Sequence, residues 1–228
     1  MTDTKVNYSK RDKQDFNNFK YLFQVVGRFV ITKFFFRLYY KIDFYGRENI
    51  PKNKNFIIAP NHISYLDPIL AAEAVKQPVA YMGKVELFNN KYFAKLLDLA
   101  ACFAVNREKP EVSSIKTALT VVKTNKWRLG IFPQGGIKRN KKIEFINKGF
   151  AILAKQTQTD ILPVAITGCE SEEVHLFKGR IKVYIGEPIS YNQDIDDILE
   201  EWGQKISQMA DYKYERQYEQ KEEAAQSA

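Results

Sequence analysis

Short apolar runs with helical patterns between most of them constrain the fold of this chain more than any other feature. The runs occupy residues 42–45, 56–59, 79–82, 102–105, 128–132, 161–166 and 181–185. The helical patterns occupy residues 68–75, 92–99, 112–124 and 147–156. Strands that alternate with helices form a largely parallel sheet, because a parallel crossover needs a long connection. We therefore predict an α/β fold with a mixed, mostly parallel central sheet of about seven strands, flanked by helices.

The domain organisation follows from where this alternation begins and ends. A chain of 228 residues with 45% hydrophobic content is long and apolar enough for one sizeable core. The connections are short from residue 42 to residue 190, so we assign 42–190 to one main domain. Around it we predict a polar tail at 1–18, amphipathic helices at 19–41, a C-terminal helix at 191–214 and a charged, flexible tail at 215–228.

The segment at residues 19–41 mixes aromatic and basic residues. Its polar positions recur about every four residues, with one phase jump, at Lys20, Gln24, Arg28, Lys33, Arg37 and Lys41. This helical period fits two short helices or one bent helix. The basic residues interrupt the apolar stretch, whereas a spanning helix needs about 20 predominantly apolar residues. We expect this motif to dock on a membrane surface with anionic lipids; the alternative is an ordinary helix packed on the domain.

The net charge limits the classes of binding partner, and the cysteine content indicates the cellular compartment. The net charge of +8 predicts an anionic partner, which is a nucleic acid, a membrane surface or a phosphorylated substrate. Nucleic acid is not expected, because the basic residues are dispersed and no reading motif occurs. Cys102 and Cys169 lie in separate apolar runs, and residues 1–18 lack the pattern of a secretory signal. These features favour the cytoplasmic face of a membrane, with peripheral or monotopic attachment. No spacing typical of metal ligands occurs in the sequence, so no metal is expected.

The first candidate site is the Asn-His-x-x-x-x-Asp segment at residues 61–67, between a predicted strand and a helix that opens at Pro68. In open α/β sheets, ligands bind at the carboxyl ends of the strands. His62 at this position can act as a general base, and Asp67 can fix its tautomer and stabilise the imidazolium. Such a pair suits attack by a hydroxyl group. A histidine with a purely structural role is the alternative.

A second candidate is the glycine turn at residues 131–136, which again follows a predicted strand. The basic residues Lys138, Arg139, Lys141 and Lys142 come next. Backbone amides and cations in such a turn can hold a phosphate, and a solvated basic turn is the alternative. Arg107 follows the run at 102–105, which would bring it to the same rim of the sheet as His62.

Taken in order, these segments resemble the glycerolipid acyltransferase family, which contains the 1-acylglycerol-3-phosphate acyltransferases. The likeness covers roughly residues 35–190. The matching segments are Gly46-Arg47-Glu48-Asn49-Ile50-Pro51, Asn61-His62-Ile63-Ser64-Tyr65-Leu66-Asp67-Pro68, Lys84-Val85-Glu86-Leu87-Phe88, Phe103-Ala104-Val105-Asn106-Arg107, Phe132-Pro133-Gln134-Gly135 and Ile161-Leu162-Pro163-Val164-Ala165-Ile166. The resemblance implies that residues 42–190 form an acyltransferase catalytic domain.

The resemblance also implies roles for individual residues. His62 and Asp67 would be catalytic, with His62 taking the proton from an acceptor hydroxyl that attacks the thioester of acyl-CoA or acyl-carrier protein directly. The acyl thioester is then a cosubstrate, and no cofactor is implied. The acceptor would be a lysophospholipid, foremost 1-acylglycerol-3-phosphate, which gives phosphatidic acid. The residues implied in substrate binding are Asn61, Lys84, Arg107, Phe132, Pro133, Gln134, Gly135, Lys138 and Arg139.

The segment at residues 132–137 departs from the family pattern. The family's Phe-Pro-Glu-Gly-Thr-Arg becomes Phe-Pro-Gln-Gly-Gly-Ile, which loses a carboxylate, a hydroxyl and a guanidinium. Lys138 or Arg139 can supply the missing positive charge. The sequence thus leaves open a displaced phosphate site or an acceptor without a phosphate. A catalytically silent lipid-binding or membrane-scaffolding protein is a further alternative, against which the intact His62 and Asp67 weigh.

Overall fold

The computed structural model describes residues 7–36, 40–106, 111–170 and 179–215. The strands are β1 (Tyr40–Tyr45), β2 (Ile57–Pro60), β3 (Val79–Lys84), β4 (Phe103–Val105), β5 (Arg128–Gly130), β6 (Lys142–Ile143), β7 (Ile161–Thr167), β8 (Gly179–Ile185) and β9 (Lys213–Tyr214). Seven of them form one sheet in the order β1-β8-β7-β2-β5-β3-β4. Its pairs are parallel except β7 with β8, which are antiparallel. The predicted α/β fold with a mostly parallel sheet is confirmed.

Helices flank this sheet, close to where the apolar period predicts them. They are α1 (Asn18–Val30), α2 (Asp67–Val75), α3 (Lys91–Leu99), α4 (Val112–Val122), α5 (Gly149–Thr157) and α6 (Ile195–Ala210). α1 begins at the cap residue Asn17, whose side chain accepts the backbone N–H of Lys20. After α1 the chain continues as a π-helical segment, Ile31–Phe36. The N-terminal helical motif is therefore present; Arg37 lies outside the described residues.

The buried strands explain why apolar runs predict this sheet so directly. Every residue of β2 is buried, and so are the first six residues of β7 beside it. Parallel strands that are covered by helices on both faces need apolar side chains at successive positions. On one side Trp202 of α6 is fully buried and donates a hydrogen bond from Nε1 to the carbonyl oxygen of Ala59. The helix is thus tied to the strand that carries the candidate site.

The C-terminal helix is shorter than predicted. α6 ends at Ala210, and Asp211 adopts a left-handed conformation with φ of 56°. The chain then turns back, and β9 pairs with β6 as a separate two-stranded sheet. The prediction of helix to residue 214 was wrong because this pairing joins segments about 70 positions apart in sequence, which a helical period does not register. The predicted tail beyond Glu215 lies outside the described residues.

The described part of the predicted polar tail packs on the domain. The backbone N–H of Ala104 donates to the carbonyl oxygen of Tyr8, and the Thr117 hydroxyl donates to that of Ser9. Arg11 forms an ion pair with Asp98 at 2.7 Å. Residues 7–16 are therefore held by contacts with α3, α4 and β4, and the prediction of a separate tail was wrong for them.

α1 packs on the domain through its polar face and leaves its apolar face exposed. Its polar residues face the domain: Lys20 pairs with Asp98 at 2.9 Å and Arg28 with Glu73 at 3.1 Å. Gln24 donates hydrogen bonds to two backbone carbonyl oxygens of the domain. The outward face is apolar, with exposed fractions of 48–67% at Phe19, Leu22, Val26, Phe29 and Val30. No described helix combines the length and the apolar character needed to cross a bilayer.

Candidate active site

His62 and Asp67 meet at the carboxyl end of β2 (Ile57–Pro60), where the sequence places them. His62 Nδ1 lies 2.8 Å from Oδ2 of Asp67. The same oxygen accepts the backbone N–H groups of Ile63 at 2.6 Å and Ser64 at 2.7 Å. Asp67 is fully buried, and these contacts fix the position of its Oδ2. Because a carboxylate only accepts hydrogen bonds, Nδ1 carries the proton and Nε2 remains as the basic nitrogen.

The glycine turn at residues 131–136, together with Lys138 after it, holds the backbone of His62 from both sides. The His62 N–H donates to Oε1 of Gln134 at 2.9 Å, and its carbonyl oxygen accepts the backbone N–H of Lys138 at 2.7 Å. Gln134 is itself buried. Gly135 has φ of +69°, a left-handed conformation that favours glycine. The two candidate segments of the sequence therefore form one site, and Gln134 supports the histidine.

Aromatic rings restrain the imidazole from one side. The ring of Phe132 stacks on His62 with centroids 4.1 Å apart, and on Tyr81 with centroids 5.6 Å apart. Tyr81 donates its hydroxyl to the carbonyl oxygen of Pro68 at 2.8 Å. Burial, together with the nearby charge of Asp67, raises the pKa of Tyr81, so this hydroxyl stays protonated. The sequence analysis missed Tyr81, which lies within a strand and carries no local signal.

Asn61 has a structural role in this site. Its side chain accepts the backbone N–H of Ile166 at 2.7 Å and donates to the carbonyl oxygen of the same residue at 2.9 Å. Asn61 is fully buried, so these bonds join the end of β2 to β7. Asn61 is therefore a link between strands, and its contact with substrate stays a prediction.

Cys169 is the second residue that the sequence analysis missed. It follows β7 (Ile161–Thr167) and is buried, with Sγ 3.7 Å from Oδ1 of Asp67. Burial and the charge of Asp67 raise the pKa of this thiol, which therefore keeps its proton. A signal existed, because β7 was a predicted strand and its carboxyl end lies on the same edge as His62 in a parallel sheet.

The remaining candidates lie around the rim or outside the described residues. Lys84 is exposed at the end of β3 and pairs with Glu86 at 3.1 Å. Lys138 and Arg139 are exposed at the end of the glycine turn. Arg107 is outside the described residues. In the described part of the chain, His, Cys, Asp and Glu side chains form no group of three or more suited to a metal ion.

A cavity of about 360 Å³ adjoins the histidine. Phe132, Pro133 and Gly135 line it from the glycine turn, and Met82 and Val105 line it from the neighbouring strands. Residues of α5 (Gly149–Thr157) complete the wall. Phe132 therefore both lines the cavity and contacts the imidazole of His62.

Comparisons with known proteins agree with this geometry. A family model described as Acyltransferase matches residues 41–167. The 1-acyl-sn-glycerol-3-phosphate acyltransferase of Bacillus subtilis is 34% identical over 149 residues, covering 65% of this chain and 73% of the relative. That of Streptococcus pneumoniae is 31% identical over 157 residues, covering 68% of this chain but only 56% of the relative. In fold, the chain is similar to the crystal structure of the 1-acyl-sn-glycerophosphate (LPA) acyltransferase PlsC from Thermotoga maritima. The TM-score is 0.61 at 21% identity, over 86% of this chain and 85% of that one.

Proposed function

Because the chain belongs to the acyltransferase family, we propose that it transfers a fatty acyl chain from an acyl thioester to a hydroxyl of a lysophospholipid. The observation that carries this proposal is the 2.8 Å contact between His62 and a fully buried Asp67 at the carboxyl end of β2. The names of the relatives support 1-acylglycerol-3-phosphate as the acceptor and phosphatidic acid as the product. Acyl-CoA or acyl-carrier protein is the proposed donor, and no further cofactor is part of the proposal.

The proposed reaction uses His62 first as a base and then as an acid. Nε2 of His62 removes the proton of the acceptor hydroxyl while the oxygen of that hydroxyl forms a bond to the thioester carbonyl carbon. Asp67, bonded to Nδ1, stabilises the imidazolium that results. The C–S bond then breaks, and the leaving thiolate takes the proton back from Nε2. Positioned acid–base catalysis of this kind typically contributes about 10²- to 10⁴-fold.

The glycine turn is the proposed site for the acceptor headgroup. Lys138 and Arg139 are exposed beside His62, where their cations can pair with a phosphate. The backbone N–H of Lys138 is already bonded to His62, so its ammonium is the group available to a ligand. The alternative acceptor is a lipid without a phosphate. It is favoured by the uncharged residues Gln134, Gly136 and Ile137 in this turn.

The apolar cavity beside Phe132 is the proposed place for the acyl chain. Its volume of about 360 Å³ lies within the range of small-molecule sites, and its lining is largely apolar. A chain seated there would have its thioester near His62, because Phe132 lines the cavity and also stacks on His62. This arrangement supports a direct transfer between two bound substrates.

The outward apolar face of α1 is the proposed contact with the membrane. Aromatic and aliphatic side chains on this face can enter the boundary between headgroups and acyl chains. α3 (Lys91–Leu99), which contacts α1, adds the exposed side chains of Tyr92, Phe93 and Leu96. Lys91 and Lys95 of the same helix supply charge for anionic lipids. The membrane contact thus depends on the exposed apolar residues more than on Lys20 and Arg28, which are engaged with the domain.

The test compares wild type with His62→Ala, supplying labelled acyl-CoA or acyl-carrier protein with a panel of acceptors. The panel contains lysophospholipids and hydroxylated lipids that lack a phosphate. Replacement of the other histidine, His175→Ala, is the matched control. We expect product from wild type and from the control, and loss of it in His62→Ala. If no acceptor gives product that depends on His62, the chain is not an acyltransferase of this mechanism, and a silent lipid-binding protein takes its place.

A further inference from the structure

The carboxylate of Asp67 has a second oxygen that the proposed mechanism does not use. Oδ2 accepts three hydrogen bonds, from His62, Ile63 and Ser64. Within the part of the chain that the structure describes, the hydrogen bond to Oδ1 comes from the thiol of Cys169 at 3.7 Å. Both residues are buried, so this oxygen has little access to solvent as a substitute. The thiol of Cys169 therefore contacts the Asp67 oxygen that faces away from His62.

The geometry of the thiol suits donation. Burial keeps Cys169 protonated, and a thiol is a weak donor that prefers a charged acceptor nearby. The sulfur thus lies next to Asp67, the residue that ends the loop after His62.

We propose that Cys169 is a positioning residue, whose S–H donates to Oδ1 of Asp67 and holds the carboxylate at the rotation that aims Oδ2 at His62 Nδ1. The terminal torsion of an aspartate has broad preferences, and rotation about it moves both oxygens together. A donor on Oδ1 therefore adds to the restraint that the three bonds on Oδ2 impose. The role rests on the proposed function, since it concerns the residues that this function makes catalytic.

Other ionisable groups near this carboxylate have partners of their own. Tyr81 of β3 donates to the carbonyl oxygen of Pro68. Tyr212, which follows α6, donates to Glu170 at 2.5 Å. His62 is the partner at Oδ2. Among these groups, Cys169 is therefore the one whose replacement changes the hydrogen bonding of Oδ1 directly.

The experiment removes the donor in two ways and retains it in a third. Cys169→Ala deletes the sulfur, Cys169→Val fills its volume without a donor, and Cys169→Ser keeps a donor. The matched control is Cys102→Ala, because Cys102 is equally buried but its sulfur lies beside Gly83. Steady-state kinetics and pH–rate profiles are measured for each. The ¹⁵N titration of the His62 ring is followed by NMR, which is tractable because the chain has two histidines.

We expect Cys169→Ala and Cys169→Val to lower kcat about tenfold with KM nearly unchanged, as loss of a hydrogen bond to a charged group predicts. The acidic limb of their pH–rate profiles and the His62 titration should move to higher pH, since a carboxylate with fewer donors holds the shared proton more tightly. Cys169→Ser should restore most of kcat, and Cys102→Ala should leave profile and titration unmoved.

The proposal is wrong if Cys169→Ala and Cys169→Val both keep the wild-type kcat, pH–rate profile and His62 titration and only lower Tm. Cys169 would then contribute to packing alone. The titration needs no turnover. An inactive wild type would therefore refute the acyltransferase function, while the His62 titration would still decide whether the thiol positions Asp67.

Discussion

Replacing Asp67 with asparagine separates the charge of this side chain from its shape. The amide oxygen can still accept the backbone N–H groups of Ile63 and Ser64, which lie 2.6 Å and 2.7 Å from Oδ2. What is lost is the negative charge beside the His62 ring, 2.8 Å from Nδ1. Two unit charges about 4 Å apart attract by about 4 kcal/mol at an effective dielectric constant of about 20. Since the imidazolium forms as the hydroxyl is deprotonated, we expect kcat to fall about a thousandfold.

The assay measures kcat for acyl transfer and Tm for both Asp67→Asn and Asp67→Ala. The asparagine variant should unfold near the wild-type Tm, because its hydrogen bonds to the loop persist. The alanine variant leaves the N–H groups of Ile63 and Ser64 without this acceptor, at a cost of about 1–3 kcal/mol for the buried one. If Asp67→Asn keeps more than about a tenth of wild-type kcat, the charge of Asp67 is not needed, and the electrostatic reasoning is wrong.

Gln134→Ala should lower the free energy of unfolding by about 1–3 kcal/mol, because the backbone N–H of the catalytic histidine loses its acceptor. Gln134→Glu keeps an acceptor oxygen and should retain Tm; equal Tm values for the two variants would contradict this role. Leu22→Ser with Phe29→Ser should weaken binding to anionic vesicles at least about tenfold in a sedimentation assay, since burying one such side chain is worth about 1.5–3 kcal/mol. Unchanged vesicle binding would exclude α1 as the membrane contact. Lys138→Ala with Arg139→Ala should raise KM for a phosphorylated acceptor and leave KM for an unphosphorylated one unchanged; no change for either would remove the phosphate site from this turn.

Much of the fold could be predicted because its core strands are buried on both faces. A strand such as β2 requires apolar residues at successive positions, so a few consecutive residues are enough to predict where it lies. The two-stranded sheet of β6 and β9 was not predictable in this way. Each strand is two residues long, and their pairing depends on a left-handed turn at Asp211 and on a contact between distant segments.

Part of the candidate site could also be predicted from the sequence, and part could not. His62 and Asp67 lie five positions apart, so a strand exit and a short loop suffice to bring them together. Gln134 and Cys169 reach the same histidine and aspartate from other parts of the chain, and Tyr81 stacks on the Phe132 ring that contacts His62. Their roles depend on strand order, which the sequence pattern leaves open. The bond between Gln134 and the backbone of His62 came from the structure alone, and substrate binding by Gln134 stays a prediction.

The sequence by itself determined the seven strands of the main sheet, the approximate positions of its helices and the pair of catalytic candidates, because each of these depends on neighbours within a few positions. It also determined that α1 has one polar and one apolar face. Only the tertiary structure decided which face turns outward, because a helical period is the same whichever side packs. Lys20 forms an ion pair with Asp98, and Arg28 forms one with Glu73; both carboxylates are distant in sequence. These ion pairs hold the polar face on the domain and leave the apolar face exposed.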